Sequence, residues 1–134
     1  MLLILIVSIG LSATPDDAIN SAAQNMRLPA VQGNFDENLY LLAVAQAAYC
    51  AQYCQSGHQL FGSQFATYTR PGLSSVVAES WGWQDMCQSS VEAFKCWKAS
   101  SGHWETLQTP YKRYAFAMRQ GRNNIWYCAG YFSN

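Results

Sequence analysis

The stretch from Glu37 to Cys54 (ENLYLLAVAQAAYCAQYC) constrains this 134-residue chain more than any other, because it reads as a helix that is apolar almost all the way round. Leu39, Tyr40, Leu41, Leu42, Ala43, Val44, Ala45, Ala47, Ala48 and Tyr49 leave few polar positions on any face. Such a helix is expected at the buried centre of a fold. Asn34, followed three residues later by Glu37, offers it a capping box. Ser56-Gly57 offers a C-terminal stop, so His58 is expected just past its end.

Other elements can be placed around it. Thr14-Pro15-Asp16-Asp17 is a strong helix start, with a hydroxyl cap, proline at the first helical position and acids against the positive end of the helix dipole. Ala18, Ile19, Ala22, Ala23 and Met26 then mark one face of a helix that Leu28-Pro29 stops. Residues 59 to 86 carry no long period; after the Pro71-Gly72 turn, LSSVVAES is short enough to be extended or a single helical turn. Ser89 with Glu92 suggests another capping box, opening a helix through Val91, Phe94 and Trp97 to about Ala99. At the C-terminal end, YAFAM and IWYCAGYF flank RQGRNN as a β-hairpin. These elements make an α+β fold with a small antiparallel sheet, in one domain covering residues 14 to 134.

Residues 1 to 13 (MLLILIVSIGLSA) form an apolar run of signal-peptide length, too short to span a bilayer, with Ala13 at a cleavage-like position. The expected location is therefore secreted, extracellular or periplasmic. Net charge is zero and the eight basic residues are scattered, which argues against a nucleic-acid partner or an anionic membrane surface. Cys50, Cys54, Cys87, Cys96 and Cys128 fit an oxidising compartment, where some should pair. Their odd count leaves one free or bonded to a second chain, so the chain is expected as a monomer or a disulfide-linked dimer.

The chain has two histidines, and each follows a Ser-Gly pair: CQSGH ending at His58 and ASSGH ending at His103. Glycine at a helix stop explains the likeness without a repeat, and both histidines are expected in loops. Two neutral imidazoles with a carboxylate, Glu79 or Glu105, could hold a divalent metal or form an acid-base pair around a cleft. Trp81, Trp83 and Trp104 stand close by in sequence. No GxSxG elbow or glycine-rich phosphate loop is present.

The order of these segments resembles the CAP superfamily, the SCP-like domains related to pathogenesis-related protein 1, in its bacterial branch. INSAAQNMRLPAVQ is similar to its first helix and exit turn, and LLAVAQAAYCAQYCQSGH to its second helix with the first site histidine at His58. VVAES is similar to the element bearing the site glutamate, here Glu79, and FKCWKASSGHWETL to the segment bearing the second site histidine, here His103. IWYCAGYF resembles the closing strand, with Trp126 in the aromatic position. The resemblance implies a three-layer α-β-α sandwich whose cleft gathers His58, Glu79 and His103, flanked by Trp104 and Glu105, and which in several members takes zinc or another divalent cation. Ser80 stands where the family usually has Asn, and Ala99 and Ser100 occupy the region of a second glutamate. It further implies a secreted, non-catalytic module binding a divalent metal, a small lipid-like apolar ligand or a protein partner. Two alternatives stand beside it: a metal-assisted, peptidase-like hydrolase with Glu79 as base, and a disulfide-stabilised structural protein.

Overall fold

The computed structural model describes residues 14–80 and 85–134. The proposed signal segment and Trp81 and Trp83 lie outside the described residues. In chain order the elements are α1 (Pro15–Asn25), a 3-10 turn (Pro29–Val31), β1 (Asn34–Phe35), α2 (Glu37–Tyr53), α3 (Phe61–Thr67), β2 (Ser74–Ser80), α4 (Met86–Lys98), α5 (Ser101–Gln108), β3 (Arg113–Gln120) and β4 (Trp126–Ser133). The fold is α+β. The strands form one sheet in the order β1-β3-β4-β2. β3 and β4 are the hairpin the sequence anticipates, β2 pairs antiparallel to β4, and the two-residue β1 lies parallel to β3, so the sheet is mixed and not wholly antiparallel.

Alternation along the strands sends side chains to two cores, one on each face of the sheet. Val76, Ala78, Tyr114, Phe116, Met118, Cys128 and Phe132 meet Ile19 and Ala23 of α1, Ala93, Phe94 and Trp97 of α4 and Leu107 of α5. Val77, Ala115, Ala117, Tyr127, Ala129 and Tyr131 meet Leu39, Ala43, Ala47, Cys50 and Ala51 of α2. Helices therefore cover both faces. Alanine on both sides of the second interface lets α2 lie close to the strands. On the other face, Phe116 lies against Gly130 directly across the hairpin, where a Cβ would meet the Phe116 ring and come within 3.1 Å of Val76 Cγ2.

The helix expected at the buried centre instead forms an outer layer. Only one stripe of α2 is buried, and Leu41 on its far side is 62 % exposed. Ala45 and Ala48 are exposed with it, and alanine loses little by facing water. Its cap also differs from expectation: Asp36, not Asn34, accepts from Leu39 N–H at 2.9 Å, because Asn34 and Phe35 are drawn into pairing with β3. α4 likewise starts at Asp85, which accepts from Gln88 N–H, so Ser89 and Glu92 fall inside the helix and do not cap it. α1 follows the sequence closely, with Thr14 and Asp17 forming a reciprocal capping box.

β1 pairs with β3 only at Arg113 and Tyr114, which leaves the rest of that edge of β3 without a strand partner. Side chains of α1 cover it. Asn20 donates to Phe116 C=O at 2.8 Å and accepts from Phe116 N–H at 3.0 Å, as a neighbouring strand would. Asp16 accepts from Met118 N–H at 3.0 Å, pairs with Arg119 at 2.6 Å and receives the Tyr40 hydroxyl from α2. One carboxylate thus ties together a helix from each face and the strand edge between them.

Candidate functional site

The chain leaves α2 through Cys54, which caps the helix in the left-handed region (φ 50°), so the stop comes three residues before the glycine expected to provide it. Gly57 then takes φ 148°, a conformation that side chains rarely adopt. The loop is held from beneath by Gln46, a fully buried side chain in the apolar stripe of α2. Its amide donates to Gly57 C=O and to Gln59 Oε1, both at 2.8 Å, and its oxygen accepts from Leu60 N–H at 3.0 Å. His58 sits between these anchored residues. The sequence did carry a signal for Gln46: a lone amide at a buried register of an otherwise apolar helix must find partners.

His103 arrives from the other face of the sheet. It was expected in a loop after a helix stop, but the structure puts it in α5, one turn of chain after α4 ends at Ala99. Ser100 is the N-cap residue there, so the Ser-Ser-Gly run opens a helix instead of closing one. Trp104, next along α5, is half-buried against the first core with the Lys98 ammonium 5.7 Å from its ring centroid. Glu105 is exposed, and its carboxylate has no partner among the described residues.

The two imidazoles meet: their ring centroids are 6.0 Å apart and the planes 27° from parallel. His58 Nδ1 lies 2.9 Å from Ser75 Oγ, near the start of β2, the outer strand of the sheet. Partial burial lowers both pKa values from the ordinary imidazole value, and the nearby charge of His103 lowers that of His58 further. Both rings are therefore neutral at pH 7 and offer nitrogen lone pairs. In His103→Ala, the His58 pKa is expected to rise toward that of a free imidazole, read by NMR titration of its ring protons. An unmoved His58 would mean that the rings do not interact. The sign for stability follows from linkage: groups held neutral in the fold protonate more readily when it opens, so wild-type stability declines as pH falls below about 6.5 and levels off beneath the folded pKa values. That decline should be shallower in His103→Ala.

Glu79 does not join this pair. It stands four residues beyond Ser75 on β2, about 13 Å along the strand. It opens instead onto a recess lined by Ser80, Glu92, Cys96 and Ile125. Among the described residues no three His, Cys, Asp or Glu side chains gather closely enough to hold a metal ion. Nor do the cysteines form the expected staples: all five are free thiols. Cys50 and Cys128 are buried in opposite cores, and burial pushes the pKa of each thiol up, which leaves both protonated and unreactive.

No known family model matches the sequence, and no curated protein is similar enough to count as a relative. Among solved structures the fold is similar to that of an outer surface protein from Borrelia burgdorferi. The TM-score is 0.64 at 17 % identity, and the likeness covers 87 % of this chain and 86 % of that one. The likeness is one of fold. No helix among the described residues is long and apolar enough to cross a membrane.

Proposed function

We propose that this chain is an extracellular, CAP-like binding module without catalysis of its own, and that it works through the paired imidazoles of His58 and His103. The observation that carries this reading is the pair itself. The only two histidines, 45 positions apart (103 minus 58), come from opposite faces of the sheet and meet ring to ring. Two neutral imidazoles suit a borderline divalent cation such as zinc, which takes imidazole nitrogen at about 2.0 Å. Ser75, bonded to His58 Nδ1, would leave Nε2 as the ligand nitrogen, the usual way a second residue orients a metal-binding histidine. With only two protein ligands, the other positions would stay open for a ligand or for donors of a protein partner.

A hydrolase would need a base at the pair, and Glu79 opens elsewhere. A disulfide-stapled role finds no support in five free thiols. The extracellular setting draws support from the signal-like N-terminal run and from the structural neighbour, which is an outer surface protein. Calorimetric zinc titration should give one ion per chain for the wild type, with His58→Ala and His103→Ala each weakening binding at least about tenfold, the loss of roughly 1.4 kcal/mol. Equal binding by the double variant, or no binding by the wild type, would overturn the reading.

A further inference from the structure

The recess beside Glu79 is built differently from the imidazole pair. It encloses about 270 Å³ between the end of β2, the middle of α4 and the start of β4. Ser80 lines it and is 3 % exposed, yet among the described residues its hydroxyl has no hydrogen-bond partner. A buried hydroxyl left unpaired costs free energy that a bound donor or acceptor would recover. Glu79 and Glu92 line the same space, and among the described residues neither carboxylate has a cation, the ion pair present being Asp16 with Arg119. Burial raises the pKa of the Cys96 thiol, and the charges of Glu92 and Glu79 raise it further, in line with their lining one space with it. Cys96 stays a neutral thiol and, with Ile125, gives the recess apolar wall.

We propose that this recess binds the head of a primary alkylammonium ligand. An ammonium group carries one positive charge and three N–H donors, and the recess is lined by two acidic residues and by one hydroxyl oxygen left unpaired among the described residues. A methylene stem would lie along Ile125 and the Cys96 side chain. A bare metal ion is the poorer match, because among the described residues no three ligating side chains converge there. The source is a free polyamine or a lysine side chain of a peptide, and both present the same head.

The test is calorimetry of the full chain at low salt with n-pentylammonium, with 1-pentanol as the uncharged counterpart of equal stem. Pentylammonium should bind and pentanol should be at least about thirtyfold weaker. Glu92→Gln should weaken pentylammonium about tenfold, the expected loss of one charge-assisted contact. Ser80→Ala should weaken it several-fold while leaving the thermal midpoint unchanged or raised, since the variant removes an unpaired buried hydroxyl; a purely structural Ser80 would lower the midpoint. Leu41→Ser, on the opposite helical layer, should change nothing, and zinc binding should be unaltered in Glu92→Gln. Spermidine binding more tightly than a lysine-bearing peptide assigns the source to free polyamines, and the reverse assigns it to a lysine side chain; either supports the alkylammonium site. The proposal is overturned if pentanol binds as well as pentylammonium, if Glu92→Gln and Ser80→Ala both stay within twofold of wild type, or if the wild type does not bind at millimolar ligand.

Discussion

Gln46→Leu is expected to lower the thermal midpoint by roughly 8–16 °C and to separate the two histidine rings. Leucine matches the apolar stripe of α2 in size, so packing is nearly conserved and the change isolates the amide. What is lost is the support of the 57–60 loop: Gly57 C=O and Leu60 N–H lose their partner, while exposed Gln59 can turn to water. Each orphaned backbone group costs about 1–3 kcal/mol, less where water reaches it, so the sum is about 2–4 kcal/mol. For a domain of this size, 1 kcal/mol moves the midpoint by about 4 °C. With its anchors gone, His58 should lose its proton-proton contacts to His103 in NMR spectra, and zinc affinity should fall with them. Gln59→Ala, which removes only the exposed end of the network, is the control and should keep both. A Gln46→Leu midpoint within about 2 °C of wild type would show that the loop holds itself without the amide.

The difference between Gln46 and Glu79 illustrates what could be read from the chain and what could not. Local signals were legible wherever the cause of structure is itself local. Thr14 to Asp17 start a helix as read, RQGRNN turns a hairpin with Asn124 in the left-handed region, and the apolar run from residue 37 is one long helix. The misplacements came from residues with two good uses. Asn34 is a fine cap, but strand pairing with β3 claims it and Asp36 caps in its stead. Ser100-Ser101-Gly102 suits a helix stop and a helix start equally, and the chain uses it as a start. α3 has no periodic apolar face of its own; it forms as a short cover over α2, tied down by Gln64, which donates to Leu42 C=O and receives the Tyr131 hydroxyl. Both histidines were singled out from the sequence, and their meeting is a tertiary fact that no spacing encodes. Glu79 was grouped with them as a carboxylate in a segment, VVAES, that resembles the family element bearing the site glutamate, whereas an extended β2 carries it about four residues past the point where they touch. The edge cover was hidden for a similar reason: Asp16 and Asn20 read as a first-turn acid and an ordinary helix polar residue, and only the missing strand partner of β3 reveals their use.

That edge carries the second large effect. Asn20→Leu should destabilise the fold by about 2–4 kcal/mol, and by more than Asn20→Ala, although alanine leaves the larger gap. The ordering follows from which group can be rehydrated. Asn20 satisfies both the N–H and the C=O of Phe116, a fully buried residue in the free edge of β3. Alanine opens a path by which water can take over both bonds, at the modest net cost of an exchanged hydrogen bond, about 0.5–1.5 kcal/mol each. Leucine fills the space, excludes water and leaves both groups unpaired, at about 1–3 kcal/mol each. Chemical denaturation of the two variants, with matched slopes to confirm two-state unfolding, reads the difference directly. Alanine as the more damaging change would show that Asn20 acts by filling volume, not by completing the strand. An uncovered strand edge also offers a template to a second chain, so Asn20→Ala should begin to self-associate at concentrations where the wild type does not, as light scattering would record. Asp16 closes the next rung through Met118 N–H, and in Asn20→Ala it becomes the last cover on that edge. The double variant Asp16→Ala with Asn20→Ala should accordingly self-associate at lower concentration than either single variant, because only when both are gone can a partner strand pair along the whole free edge.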